Sequence, residues 1–168
     1  MATVQDIKRR LRSVRNTRKI TKAMELVAAA KLRRAEARIG ALRPYAERMR
    51  ELMVGTARAT PSRGFPLLEE RESVSAVAIL PLTGDRGLAG AFNAQIIRRA
   101  LQIEREVRAS GADVRWAVAG KKGRSTLRFR RYEIEQAWVD LTDRPTYSDA
   151  VAIAHTIADL FTEREVDR

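Results

Sequence analysis

DIKRRLRSVRNTRKITKAMELVAAAKLRRA, residues 6–35, is composed mostly of Ala, Leu, Arg, Lys, Glu and Met, residues that lose little side-chain freedom in a helix. Gly and Pro are absent from residues 1–39. Outward from this run, apolar residues recur at steps of three and four through Ala28, Leu32, Ala35, Ile39, Leu42, Ala46, Met49 and Met53, the pattern of a helix with one narrow seam. An earlier stripe, Ile7, Leu11, Val14, Ile20, Met24 and Val27, runs in a slightly different register. The phase change near residue 28 resembles a coiled-coil stutter, which changes supercoiling without ending the helix. Pro44 costs about 3 kcal/mol inside a helix, yet the stripe passes it in phase, so a kink is predicted between Gly40 and Pro44. One helix over residues 4–57 would be roughly 80 Å long. It is therefore expected to project from whatever domain follows, and its seam requires a second long helix, which the rest of the sequence does not supply.

Charge separates the same segment from the remainder. Residues 1–60 hold 16 of the 33 Lys and Arg against five Asp and Glu, an excess of 11 out of the chain's net +12. Residues 61–168 are nearly neutral, with 17 basic and 16 acidic side chains. The basic part is built to meet anionic surroundings and the neutral part to fold.

Beyond a linker at 58–73, which contains Pro61, Gly64 and Pro66, the pattern changes to alternating strands and helices. The apolar run SVSAVAILPL (73–82) predicts a buried parallel strand. Residues 93–109 carry Ile96, Ile97, Ala100, Leu101 and Val107 at helical spacing. DVRWAVAG (113–120) predicts a second strand, 125–130 a short irregular helix, and IEQAWVDL (134–141) a third strand. Ser148 is the expected N-cap of a last helix. The alternation implies an α/β domain with a right-handed parallel sheet over 74–168.

The first run, its continuation RPYAERMRE (43–51), and the stretches TGDRGLAGAFNAQI (83–96) and AGKKGR (119–124) together resemble the gamma subunit of F-type ATP synthase over essentially all 168 positions. The second motif departs from the usual family pattern at Ala89, where Cys is common, and at Ala91, where Gly is common. The resemblance implies an α/β fold with a long N-terminal coiled-coil-type helix projecting from a small Rossmann-like parallel-sheet domain, the helix pairing with a C-terminal helix as half of a central shaft. No such helix follows, so the sequence is expected to be the N-terminal part of a gamma subunit.

The same resemblance implies a rotor function. A basic helix would let acidic lever loops of the beta subunits follow the shaft by Coulomb attraction, screened beyond about 8 Å at physiological salt. Lys8, Arg9, Arg12, Arg15, Arg18, Lys19, Lys22 and Lys31 are the expected contact residues. Met24 corresponds to a position near those loops that must stay neutral. The implied partners are the alpha and beta subunits, the epsilon subunit and the membrane c-ring. The implied location is peripheral, on the cytoplasmic face of a bacterial membrane, and ATP and magnesium would belong to neighbouring subunits. The chain itself is expected to bind no cofactor, metal or nucleic acid. With no Cys, no thiol switch of the chloroplast type can operate.

Three other readings compete with these. A basic stripe is also the footprint of nucleic-acid binding, although the helix has one aromatic, Tyr45, and its cations wrap around between the apolar positions. Arg-rich, acid-poor residues 2–22 could be a transit peptide, but they are the most family-like part of the helix. Gly84, Gly87 and Gly90 lie between a strand and a helix, where dinucleotide folds bind phosphate. Their spacing is wrong for that fingerprint, which favours a tight turn fixed by Asp85 and Arg86, with Gly90 allowing the next helix, beginning near Asn93, to sit close to the sheet. GKKGR (120–124) is a weaker anion candidate, better read as a solvated turn. A single His155, expected on a partly buried face of the last helix, leaves no material for a zinc site. Glu104 and Glu106 cannot share a helix face, so no acid–base pair is evident.

Overall fold

The structure is a computed structural model that describes residues 3–59 and 65–168. The chain divides into two compact units, Met1–Pro61 and Ser62–Arg168. Residues 60–64 of the predicted linker lie outside the described residues.

The first unit contains, among its described residues, a single α-helix, α1 (Val4–Ala59), continuous through Gly40 and Pro44. Its first turn is closed by a capping box. The Asp6 N–H donates to Thr3 Oγ1 at 3.2 Å, and the Thr3 N–H and hydroxyl donate to Asp6 Oδ2 at 3.2 and 2.8 Å, which satisfies donors that a helix start leaves unpaired. These bonds hold the Asp6 carboxyl below the usual carboxylate range. No residue of α1 is buried.

The second unit is a three-stranded parallel sheet in the order β1 (Ala76–Ile79), β2 (Asp113–Ala119), β3 (Gln136–Trp138). Helices α2 (Phe92–Ala109) and α3 (Lys121–Phe129) make the crossovers, and α4 (Tyr147–Thr162) follows β3. Register pairs Val77 with Val114 and Ile79 with Trp116, so Val77, Ile79, Trp116 and Val118 share one face. They pack with Ala100 of α2 and Leu127 of α3 as the core, in which Val118 and Leu127 are fully buried. The Trp116 and Tyr132 rings meet at 5.3 Å between centroids with a 58° tilt, in the range where aromatic pairs attract. The opposite face carries small side chains, among them Ala78, Ala117 and Ala119. Beside α4 it leaves a groove of about 660 Å³ lined by Ile153, Ile157 and Phe161.

After α4 the chain returns to the sheet. Arg164 takes a left-handed φ of 62°, Val166 is buried at 2% exposure, and the Asp167 N–H donates to the Ala76 carbonyl at 2.8 Å. The Asp167 carboxylate accepts from the Ser75 N–H and hydroxyl at 2.7 and 2.6 Å.

Several local expectations need correction. β1 covers only 76–79 of the predicted 73–82, because Pro81 has no N–H for a ladder; pairing resumes beyond it through the Thr83 N–H to the Ala119 carbonyl at 2.8 Å, and Leu82 is exposed. β3 is shorter than 134–141, since Asp140 turns to φ 65° and its N–H leaves the sheet. The segment read as a short irregular helix at 125–130 is a regular α3 that starts four residues earlier, on the lysines. His155 is exposed rather than partly buried.

The N-cap of α4 is Thr146, not Ser148. Its hydroxyl accepts from the Asp149 N–H at 3.2 Å, and Asp149 Oδ2 accepts from the Thr146 N–H at 2.9 Å. Ser148 is followed three residues later by Val151, so it cannot complete such a box. Thr146→Ala is expected to cost about 1 kcal/mol and Ser148→Ala less than about 0.5 kcal/mol. Urea unfolding followed by tryptophan fluorescence measures both, because Trp116 and Trp138 lie on strands of the α/β unit and are the chain's two tryptophans.

Candidate functional site

Two regions carry the residues singled out by sequence, one in each unit.

The first is the surface of α1. Lys8, Arg9, Arg12, Arg15, Arg18, Lys19, Lys22, Met24 and Lys31 are all exposed. Arg9 pairs with Asp6 at 3.4 Å and Lys22 with Glu25 at 3.0 Å, each within one helical turn, and such exposed pairs contribute only about 0.2–0.5 kcal/mol. Arg12, Arg15, Arg18 and Lys19 have no carboxylate partner among the described residues. Between the cations, Leu11, Val14, Ile20 and Met24 remain 50–67% exposed. Continuous apolar exposure of this kind marks a surface that another element covers. The helix therefore offers an apolar seam for packing and flanking positive charge for attraction.

The second is the loop cluster at the carboxyl ends of the parallel strands, where open α/β sheets bind ligands. Here the polar groups are already satisfied within the chain. Asp85 Oδ1 accepts from the N–H groups of Lys121 and Asp140 at 2.9 and 3.0 Å, and Oδ2 accepts from the Thr142 N–H and hydroxyl at 2.9 and 2.7 Å. The Thr142 hydroxyl oxygen in turn accepts from the Asp85 N–H at 2.9 Å. One carboxylate thus ties together the loops after β1, β2 and β3. Burial alone pushes the Asp85 carboxyl up, but the bonds from Thr142, Lys121 and Asp140 outweigh it and hold it far below the usual carboxylate range.

The neighbouring donors are equally occupied. The Gly84 N–H donates to Asn93 Oδ1 at 2.8 Å, Lys122 N–H to the Gly84 carbonyl at 3.1 Å, and Gly123 N–H to Thr83 Oγ1 at 2.8 Å. Since the first three N–H groups of α3 are taken, the helix start cannot cradle a phosphate in the manner of nucleotide folds. Asp85 occupies the anion's place. GKKGR is therefore neither an anion cradle nor a free turn. Arg86 reaches Asp143 at 2.5 Å on the surface.

The glycines divide by cause. Gly90 has φ 55°, and a side chain there would meet open space, so it serves backbone handedness and not the close helix approach expected of it. Gly87 lies beneath the Lys122 side chain, with its backbone in an ordinary conformation.

Sequence reasoning missed Thr83, whose only signal is that it opens the motif, Thr142, which lies 57 residues beyond Asp85 and carries no local signal, and a buried network behind α2. Glu104, 5% exposed, accepts from Arg108 Nε at 3.0 Å and from the Tyr132 hydroxyl at 2.9 Å. Burial first and the Glu104 contact second raise the Tyr132 hydroxyl above its ordinary pKa. Glu106 points elsewhere, accepting from Gln102 at 2.9 Å. No cluster suited to a metal occurs among the described residues, and no helix among them is long and apolar enough to cross a membrane.

A family model described as ATP synthase matches residues 3–168. Among curated relatives, the ATP synthase gamma chain of Rubrobacter xylanophilus is 41% identical over 99% of this chain and 56% of its own length. That of Saccharopolyspora erythraea is 40% identical over 96% of this chain and 52% of its own. That of Synechococcus elongatus is 42% identical over 100% and 54%. The chain thus spans about half the length of the curated relatives it matches. Among solved structures, the central stalk and c-ring of the Tetrahymena thermophila mitochondrial ATP synthase matches with a TM-score of 0.62 at 23% identity, over 86% of this chain and 61% of that one. The Euglena gracilis mitochondrial ATP synthase rotor matches at 0.54 and 15%, over 90% and 51%. Both show a shared fold. The nucleic-acid reading gains no support from these matches.

Proposed function

From the premise that this chain belongs to the ATP synthase gamma family, we propose that it forms part of the central-stalk rotor that couples proton-driven rotation to conformational change at catalytic beta subunits. The observation that carries this reading is α1: 56 residues with none buried, an exposed apolar seam and a strong excess of positive charge. Such a helix gains stability only by packing its seam against another. Its role is mechanical and non-catalytic. The shaft acts as a ligand that stabilises a different conformation of each beta subunit at each angle.

The partners on this reading are the alpha and beta subunits around the shaft, with the epsilon subunit and c-ring at the domain end, in a complex peripheral to the cytoplasmic face of a bacterial membrane. Arg12, Arg15, Arg18 and Lys19 supply attraction distributed along the rod, whereas Met24 keeps its position uncharged so that no single contact traps the rotor. The Asp85, Arg86, Gly87, Gly90 and Asn93 loop serves the integrity of the domain. Residues 1–57 act as shaft, 58–73 as connection and 74–168 as part of the domain that takes up torque.

The test is Met24→Lys, in this chain carried as the N-terminal half of a full-length gamma subunit within the assembled complex. A new close charge pair with an acidic loop is worth roughly 1.5 kcal/mol or more, enough to slow a release step about tenfold. ATP formed per proton in reconstituted vesicles is expected to fall while subunit composition stays intact. Unchanged coupling counts against the proposed role of position 24. Failure of the complex to retain this chain counts against the rotor assignment.

A further inference from the structure

Helices α2 and α3 lie side by side on one face of the sheet and enclose a cleft of about 520 Å³. Its apolar lining is Ala94, Ile97 and Leu101 of α2. Its charged lining is Arg98 and Arg105 from α2, Lys122 from α3 and Arg130 just past the end of α3, and no carboxylate contributes to it. Elsewhere in this unit many cations are neutralised locally: Arg86 by Asp143, Arg108 by Glu104, Arg115 by Glu135 and Glu165, Lys121 by Asp140. None of the four cleft cations forms an ion pair among the described residues. Arg105 spends one donor on the Leu101 carbonyl at 3.2 Å, which sets its stem along the cleft and leaves the rest of its guanidinium available.

We propose that the cleft between α2 and α3 is a docking groove for an acidic amphipathic helical segment of a partner polypeptide, its carboxylates meeting Arg98, Arg105, Lys122 and Arg130 and its aliphatic side chains seated on Ala94 and Leu101. Charge complementarity selects the occupant. Four cations around an apolar strip require a ligand that presents negative and apolar groups together, the pattern of helix-in-groove recognition. The α2 side of the cleft runs from Asn93 to Arg105, about 18 Å at the helical rise, long enough for three turns of a bound helix. A small phosphate-bearing ligand fits less well. The N–H groups of Lys121, Lys122 and Gly123 at the adjoining start of α3 are already donated within the chain, so a compact anion would be held by flexible exposed side chains alone.

The probe is a fluorescein-labelled peptide of about four helical turns, with Leu on one face and Glu flanking it, titrated into the full chain and mapped by hydrogen exchange. Because α1 is itself strongly basic, two charge-reversed variants are compared: Arg98→Glu with Arg105→Glu in the cleft, and Arg12→Glu with Arg15→Glu on α1. All four positions are exposed on helices, and circular dichroism verifies folding. The expected result is protection of α2 and α3 amides and affinity lowered about tenfold or more by the cleft variant, with little change from the α1 variant. A scrambled peptide of equal charge should bind several-fold more weakly. The proposal is overturned if α1 reversal alone abolishes binding, or if the scrambled peptide binds equally. It is also overturned if inorganic pyrophosphate protects the cleft better than the peptide, which would make it a small-anion site.

Discussion

Gly120→Ala is expected to destabilise the α/β unit by about 3–5 kcal/mol, combining overpacking against rigid backbone with a left-handed conformation. A Cβ at position 120 would lie 2.1 Å from the Thr83 carbonyl oxygen and 2.6 Å from Thr83 Oγ1, at a φ of 98° that L side chains rarely adopt. The obstacle cannot give way. The Thr83 N–H is bonded to the Ala119 carbonyl at 2.8 Å, and the Thr83 hydroxyl donates to the same oxygen at 2.9 Å while accepting from Gly123. Moving Thr83 aside would break the link between β1 and β2 beyond Pro81. Since small domains hold only about 5–15 kcal/mol in total, the variant should lose much of its cooperative unfolding transition. Gly87→Ala is the matched comparison: its Cβ would meet only the flexible end of Lys122, at 3.6 Å, and should change stability by less than about 0.5 kcal/mol. Urea denaturation read by Trp116 and Trp138 fluorescence separates the two. Equal midpoints for both variants would refute this account of Gly120.

That comparison also shows what the sequence could and could not reveal. The three glycines of TGDRGLAG drew attention because they sit between a strand and a helix, yet the position where a side chain collides with backbone is Gly120, inside AGKKG, which the sequence marked only as a stretch of family resemblance and a weak anion candidate. Nothing local distinguishes it. The collision is with Thr83, 37 residues earlier, and long-range proximity leaves no periodic trace. The long helix was legible because propensity, the absence of Gly and Pro from residues 1–39, and a repeating seam that passes Pro44 in phase all agree over many residues. The alternation of strands and helices was legible for the same reason.

Ends of elements were less visible. Pro81 shortens β1 although apolar residues continue past it, and Asp140 leaves β3 for a loop carboxylate. At α4 the information was present but weighed wrongly, since Thr146 with Asp149 has the capping-box spacing and Ser148 does not. On α1 the sequence marked the cations, whereas their role depends on surfaces outside the chain.

Asp85 exposes the largest electrostatic dependence of the α/β unit. Asp85→Asn should lower stability by about 2–3 kcal/mol near neutral pH, in the range for losing hydrogen bonds to a charged group and leaving donors unmatched. The amide keeps one acceptor oxygen but turns its NH2 toward a backbone N–H that the carboxylate had satisfied, either on the Lys121 and Asp140 side or on the Thr142 side. The acid limb provides an independent check. The folded-state pKa of Asp85 is depressed relative to about 3.9 for an unfolded Asp, so the unfolded chain takes up the proton first as pH falls. The stabilisation is therefore complete above roughly pH 5 and is lost progressively as pH drops through about 4 and toward the folded value. Asp6, Asp149 and Asp167 are depressed as well, but they titrate alike in both proteins and cancel in the difference. The gap between wild type and Asp85→Asn should be constant from neutral pH to about 5 and then narrow, because only the wild type has a charge at this site to lose. Urea unfolding at a series of pH values measures that gap directly. A gap that stays constant down to about pH 3, where an ordinary Asp is mostly protonated, would mean that the three loops are held by contacts other than the Asp85 carboxylate.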